Sequence, residues 1–266
     1  MLQQNLFFRL LTGLVALPSL ALVIWAGGLW FVAVASAVAL VAGWEFHRLS
    51  RAANANSPLL LVLAFPPGLA VAAYFDEAAL GAAIGGAFLV SIAFLFLKGR
   101  RRSSLRDYAF TLGGIAYVGI PLALAVMMRG ASDGLAWVTL ALAVAFASDA
   151  SAYAVGRLIG RRLLAPSISA GKTWEGAVGG LVGAAITAYV VVALMDLPLP
   201  LWLAGAVGAL LGVVGQLGDL AESKLKRSAG IKDASGLIPG HGGLLDRLDS
   251  VVFTLVAVYY VALGYW

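Results

Sequence analysis

The chain contains no cysteine. Disulfides, thiolate nucleophiles, zinc–thiolate centres and iron–sulfur clusters are therefore excluded. Histidine is almost absent: His47 and His241 are the only two among 266 residues, which excludes a multi-histidine metal centre. Charge is scarce too. Charged side chains make up 12% of the chain, against roughly 25% in ordinary soluble domains.

Apolar residues fill the space that charge leaves, at 62% of the chain with a mean hydropathy of +0.96. That balance excludes both a soluble globular enzyme and a disordered chain. So much apolar surface exceeds what one core can bury, so lipid must solvate much of it. Glycine is abundant, 32 of 266, without the Gly-X-Y period of collagen. Small pairs four apart recur at Gly81/Gly85, Gly176/Gly180, Gly179/Gly183 and Gly208/Gly212, the spacing that lets membrane helices approach closely.

Nine apolar stretches are long enough to be read as spans: Leu10–Trp25, Leu29–Phe46, Leu59–Tyr74, Leu80–Leu97, Tyr108–Met128, Leu135–Tyr153, Gly176–Met195, Leu201–Leu220 and Leu248–Tyr265. The first two are separated only by Gly27-Gly28. The first carries no evident cleavage site, so it reads as a retained helix rather than a removed signal peptide. With nine spans, 17 of the 18 Lys and Arg residues share one side: Arg9, Arg48, Arg51, Lys98, Arg100, Arg101, Arg102, Arg106, Arg157, Arg161, Arg162, Lys172, Lys224, Lys226, Arg227, Lys232 and Arg247. Only Arg129 falls on the other side, with Asp76, Glu77, Asp133 and Asp196. By the positive-inside rule the basic side is cytoplasmic. The expected fold class is all-α: a polytopic integral membrane protein of about nine transmembrane helices, N-terminus cytoplasmic, in a bacterial-type cytoplasmic (inner) membrane. The expected organisation is a single domain over 1–266. No internal repeat stands out, which weighs against an inverted-repeat transporter.

Two cytoplasmic loops are long, 154–175 and 221–247, and long loops in compact domains are usually functional. In the second, Lys224, Lys226, Arg227 and Lys232 form an anion-binding cluster. Gly240-His241-Gly242-Gly243 frees backbone N–H groups for close approach to a ligand. Asp246 and Asp249, three apart at the start of the last helix, share a face, and Asp219 and Glu222 end the preceding helix at the same spacing. Carboxylates together with phosphate oxygens suit Mg²⁺. Cations, a glycine loop and hard-metal ligands together point to phosphoryl or nucleotidyl transfer. The plainer readings are an orientation signal for the basic residues and helix capping for Asp246 and Asp249.

Upstream, Gly171-Lys172-Thr173 fails as a P-loop because Pro166 stands where a glycine is needed and no strand precedes it. Lys172 and Thr173 still precede the seventh span, whose N-terminus favours anions; Thr173 as a simple helix cap is the alternative. Asp149 is read as holding a ribose hydroxyl, pairing with Arg157 or, ranked lowest, binding metal. Glu175 is read as a local partner of Lys172. Arg157, Arg161 and Arg162 are read as contacts to phosphate or anionic head groups. Glu45 and His47, at the end of the second span, carry no assigned role.

The stretch Ser223–Asp249 resembles the signature of the phosphatidate cytidylyltransferases, also called CDP-diglyceride synthases. The matching residues are Ser223, Lys226-Arg227, Lys232-Asp233, Pro239, His241-Gly242-Gly243, Asp246-Arg247 and Asp249. The upstream segment Ser148-Asp149, Tyr153, Gly156-Arg157 and Pro166–Gly176 is similar to the family's second block. The resemblance covers a signature block at 219–250 and an upstream block at 148–176; the N-terminal half matches only in hydropathy.

The resemblance implies a nucleotidyltransferase that makes CDP-diacylglycerol and pyrophosphate from CTP and phosphatidic acid at the cytoplasmic membrane surface, in phospholipid biosynthesis. It makes 1–266 a single transmembrane catalytic domain. The catalytic residues expected are Asp219, Asp246, Lys226, Arg227, His241 and Arg247. Substrate binding is expected of Ser223, Lys224, Lys232, Gly242, Gly243, Lys172, Thr173, Asp149 and Arg157. Asp219, Asp246 and Asp249 are the expected ligands of Mg²⁺, with Mn²⁺ as a substitute. CTP, phosphatidic acid and the bilayer are the expected partners, with no nucleic acid and a homodimer as one option. The alternatives are a CTP-dependent kinase of a membrane lipid alcohol and, further off, an anion or metabolite transporter; the aspartate-rich motif of a CDP-alcohol phosphotransferase is not found.

Overall fold

The structure is a computed structural model describing residues 2–97, 104–237 and 242–266, with side chains from residue 14 onward. The helices are α1 (Leu2–Ala26), α2 (Gly28–Ala52), α3 (Leu59–Phe75), α4 (Glu77–Leu97), α5 (Leu105–Gly114), α6 (Ile120–Gly130), α7 (Gly134–Ile159), α8 (Trp174–Leu194), α9 (Leu201–Ser228), α10 (Leu245–Leu248) and α11 (Val251–Ala262). A π-helical turn, Ile115–Gly119, fuses α5 and α6 into one helix. Among the described residues six helices are long and apolar enough to cross a membrane: Gly28–Ala52, Glu77–Leu97, Leu105–Gly130, Gly134–Ile159, Trp174–Leu194 and Leu201–Ser228. Leu14–Ala26 and Leu59–Phe75 are shorter apolar helices. The chain divides into two compact units that interleave in sequence, Met1–Gly130 with Ser228–Arg247 and Ala131–Arg227 with Leu248–Trp266.

In the first unit, Gly27 and Gly28 both adopt positive φ (61° and 50°), a turn closed to most side chains, and so end α1 and start α2. Helix α2 lies against α3, and a Cβ at Gly43 would collide with the Val62 carbonyl. Pro66 and Pro67 interrupt the hydrogen-bond ladder of α3, and Gly119 of the π turn packs on Pro66. Ser104 caps α5 in a reciprocal capping box with Asp107, whose Oδ1 also accepts the Asn56 N–H at 2.6 Å. Arg129 donates from Nε to Ile24 O (2.6 Å) and from Nη2 to Trp25 O (2.9 Å). The one basic residue set apart by the charge pattern thus satisfies orphan carbonyls at the end of α1, where helix polarity favours a cation.

In the second unit, small residues let helices touch backbone to backbone. Gly176, Gly179, Gly180 and Gly183 of α8 lie against Ala152, Val155, Ser148 and Ser151 of α7. Gly208 and Gly212 of α9 meet Ala184 and Ala188 of α8, while Gly215 and Gly218 meet Thr254 and Phe253 of α11. The packing expected of the glycine pairs holds for these three, but not for Gly81/Gly85, where an added Cβ would meet nothing within 4 Å.

Three expectations about the two long loops and their flanks are corrected. A strand does precede Pro166: within an otherwise helical chain, β1 (Leu163–Ala165) and β2 (Ser169–Thr173) form an antiparallel hairpin in the 154–175 segment. Helix α9 runs on to Ser228 instead of ending at Leu220, supported by the i,i+4 pair Glu222–Lys226 and by Lys226 and Arg227 in its last turn. Asp246 and Asp249 do not share a helix face, because α10 is one turn and α11 starts only at Val251.

Candidate functional site

In the second unit, β2 delivers Lys172 and then Thr173. Thr173 is the N-cap of α8, its Oγ1 accepting the Gly176 N–H at 3.1 Å. Lys172 Nζ lies 2.5 Å from Asp219 Oδ2, and Asp219 Oδ1 accepts from Ser223 Oγ at 3.3 Å. One turn on, the buried pair Glu222–Lys226 closes at 3.0 Å. The expected Lys172–Glu175 pair does not form: Glu175 Oε2 accepts the Arg161 and Arg162 N–H groups (3.1 and 3.2 Å), pinning the hairpin's entry.

Gly218 is what brings α11 up to α9, since a Cβ there would run into Phe253 and lie 2.8 Å from Asp249 O. Asp249, in the turn before α11, is half-buried and accepts the Ser250 N–H at 2.8 Å. Its carboxyl is pushed up to about 8, first by burial and then by the negative charges of Asp219, Glu222 and Asp149; the Ser250 N–H pulls the other way. Ser250 Oγ in turn donates to Asp149 Oδ2 at 2.7 Å. Close helix packing has therefore gathered carboxylates that repel one another, a distribution that a cation relieves.

Around this cluster, Arg227 Nε reaches Ile168 O of the hairpin turn at 3.4 Å, and Arg157 Nη1 donates to Tyr153 Oη at 2.8 Å. Arg157, Lys224 and Arg227 are exposed. Among the described residues no three Asp, Glu or His side chains converge as a ready-made metal cage. Mg²⁺ commonly takes one or two protein carboxylates and completes its shell with water and substrate phosphates, so the hard oxygen donors of Asp219 and Asp249 fit it.

The other half of the signature belongs to the first unit. Asp246 Oδ2 accepts the N–H groups of Gly243 (2.8 Å) and Ala234 (3.0 Å), and Ala234 N also approaches Oδ1 at 3.2 Å. Gly242 adopts φ +83°, and a Cβ there would sit 3.0 Å from Asp246 Oδ2. A residue given no role by the sequence, Glu45 of α2, is fully buried beside it. Glu45 accepts from Ser235 Oγ, from Leu244 N at 3.0 Å and from Leu245 N at 2.5 Å. A Cβ at Gly243 would come within 2.7 Å of Glu45 Oε1. The Gly242-Gly243 pair is thus required by two protein carboxylates, a reason the sequence did not reveal. The available signal was an acid on an otherwise apolar span, a functional candidate by default. Lys232 and Arg247 are exposed in this unit, and His241 lies outside the described residues.

Six helices of spanning length among the described residues make this a multi-pass membrane protein. Its signature segment carries acids, lysines and a glycine pair in sequence. The chain belongs to the cytidylyltransferase family, whose model matches residues 7–264. It is 42% identical over 171 residues to the phosphatidate cytidylyltransferases of Staphylococcus haemolyticus and Staphylococcus saprophyticus, covering 63% of this chain and 65% of each relative, just under two thirds of their length. It is 34% identical over 252 residues to the phosphatidate cytidylyltransferase of Staphylococcus aureus, covering 93% of this chain and 95% of that protein.

Proposed function

We propose that this protein joins CTP to phosphatidic acid, releasing pyrophosphate and leaving CDP-diacylglycerol in the membrane. The observation that carries the reading is the contact of Lys172 with Asp219 beside Asp249: a cation paired to one acid, next to a second acid whose charge the first repels. In the reaction a phosphatidate oxygen bonds to the α-phosphorus of CTP as the bond to the β-phosphate oxygen breaks, and the electron pair leaves with pyrophosphate. The phosphatidate phosphate is already anionic near neutral pH, so no strong general base is needed. Lys172 exchanges Asp219 for a triphosphate oxygen, and Arg227, Lys224 and Arg157 offer further charge to phosphates. Asp219 and Asp249 are the proposed holders of Mg²⁺, which supplies charge neutralisation on the phosphoryl oxygens. The bonds that Asp246 makes favour a loop-holding role over a ligand role.

The nine-span arrangement with a cytoplasmic N-terminus in a bacterial inner membrane is part of the same proposal. Its support is the pairing of ends expected to share a side. Arg129 bonds the end of α1, and the Trp137 ring at the start of α7 lies tilted with its centroid 6.0 Å from that of Tyr265 after α11. The basic side then faces soluble CTP while the acyl chains stay in lipid.

The test is purified protein in detergent with labelled CTP, phosphatidate and Mg²⁺. Labelled CDP-diacylglycerol with one pyrophosphate per turnover supports the reading. CDP together with a newly phosphorylated lipid alcohol assigns the kinase alternative instead, and no nucleotide turnover with either lipid overturns both.

A further inference from the structure

We propose that Glu45 is a positioning residue for the cytidylyl transfer, its carboxylate clamping both ends of the signature loop from a helix outside the signature. This rests on the function proposed above. Glu45 lies on α2, some 190 residues before Ser235 in sequence, yet it takes the Ser235 hydroxyl from one end of the loop and the Leu244 and Leu245 N–H groups from the other. Asp246 repeats the arrangement, joining Ala234 at one end to Gly243 at the other. The Gly242-Gly243 backbone is held between these two carboxylates, with Gly243 against Glu45 and Gly242 against Asp246.

Charge, and not only size, makes Glu45 suited to this. A carboxylate accepts at both oxygens and donates from neither. Glutamine at the same place offers one carbonyl oxygen and turns an NH₂ toward groups that are themselves donors, leaving buried N–H groups unpaired. The buried acid is tolerated in an apolar helix because the loop's donors face it.

The experiment compares wild type, Glu45→Gln, Glu45→Asp and Ser235→Ala. Hydrogen exchange of the 242–248 segment is read in detergent, and CTP and phosphatidate kinetics are measured per folded molecule. In Glu45→Gln the Leu244 and Leu245 amides lose about tenfold or more of their protection while α2 keeps its own. The kcat/KM for CTP falls by about 10²-fold with KM raised, the scale expected when a positioning contact is lost. Glu45→Asp, which keeps the charge, recovers part of both, and Ser235→Ala, which removes one donor, shifts both a few-fold in the same direction. Wild-type KM and kcat with unchanged amide protection in Glu45→Gln overturns the proposal. If Glu45→Gln does not fold, wild-type exchange and kinetics in Ser235→Ala overturn it equally. A wild-type protein that makes no CDP-diacylglycerol sinks the functional reading alone, since the exchange result still decides the clamp.

Discussion

Lys172 Nζ sits 2.5 Å from Asp219 Oδ2, an ion pair that links the hairpin strand β2 to helix α9. Both side chains are about a quarter exposed along their length, while the Lys172 Nζ atom itself is buried against Asp219. The pair places a protein cation on the acid expected to hold metal.

Removing that cation separates its two roles. Lys172→Met should raise the KM for CTP and lower kcat/KM by about 10²-fold, as loss of a charge-stabilising donor does. The same change frees Asp219, so Mn²⁺ should bind the substrate-free protein at least as tightly as in wild type, read by electron paramagnetic resonance. Weaker Mn²⁺ binding in Lys172→Met would mean that the lysine organises the metal site rather than competing for it.

The two proposed ligands should fail together. Asp219→Asn and Asp249→Asn keep size but remove charge, and each should cost about 10²–10³ in kcat with folding retained in detergent. Chelator should abolish wild-type turnover, and Mg²⁺ or Mn²⁺ should restore it. Full turnover in excess chelator would remove the metal from the mechanism.

Asp246 makes a different prediction. Asp246→Asn leaves one acceptor for the Gly243 and Ala234 N–H groups and turns an NH₂ toward them, so the folded state should lose about 1–3 kcal/mol. The measurement is thermal unfolding in detergent beside kcat. A variant of wild-type stability with turnover reduced by orders of magnitude would make Asp246 a metal ligand instead of a loop holder.

Asp249 carries a pH signature. Its folded-state carboxyl titrates near 8 against an ordinary 3.8, so the folded protein holds a proton that the unfolded chain has released. Metal-free stability from this group is therefore present at low pH and lost as pH rises through about 8. Mg²⁺ displaces the proton, so its stabilising effect should grow over the same interval. Unfolding temperatures measured in chelator and in Mg²⁺ from about pH 5.5 to 9 should diverge upward, and Asp249→Asn should remove the divergence. Parallel curves would show that another group governs the response.

Reporter fusions check the topology. A fusion after Trp266 should report outside, and fusions within 160–168 and 229–233 should report cytoplasm. A cytoplasmic C-terminus would overturn the nine-span count.

The sequence by itself determined the lipid setting and the family. Apolar runs and scarce charge are sums over many residues, so the first eight expected stretches fall in helices to within a residue whatever the packing, whereas the ninth, Leu248–Tyr265, breaks at Asp249-Ser250 and beyond them is helical only over Val251–Ala262. The signature acids and cations could be named for the same reason, because residue type and spacing are written in the chain. What the tertiary structure decided were partnerships between residues far apart in sequence. Lys172 found Asp219 rather than its neighbour Glu175, because the hairpin turns Glu175 toward the Arg161 and Arg162 backbone. Asp249 came up against the α9 acids because Gly218 lets α11 approach α9 without a Cβ between them. Glu45, silent in the sequence, became the anchor of Leu244 and Leu245, because a buried N–H must find an acceptor and α2 brings the carboxylate there. Periodicity and composition fix what a segment is; which acid meets which donor depends on loop closure and helix packing, which local sequence does not encode.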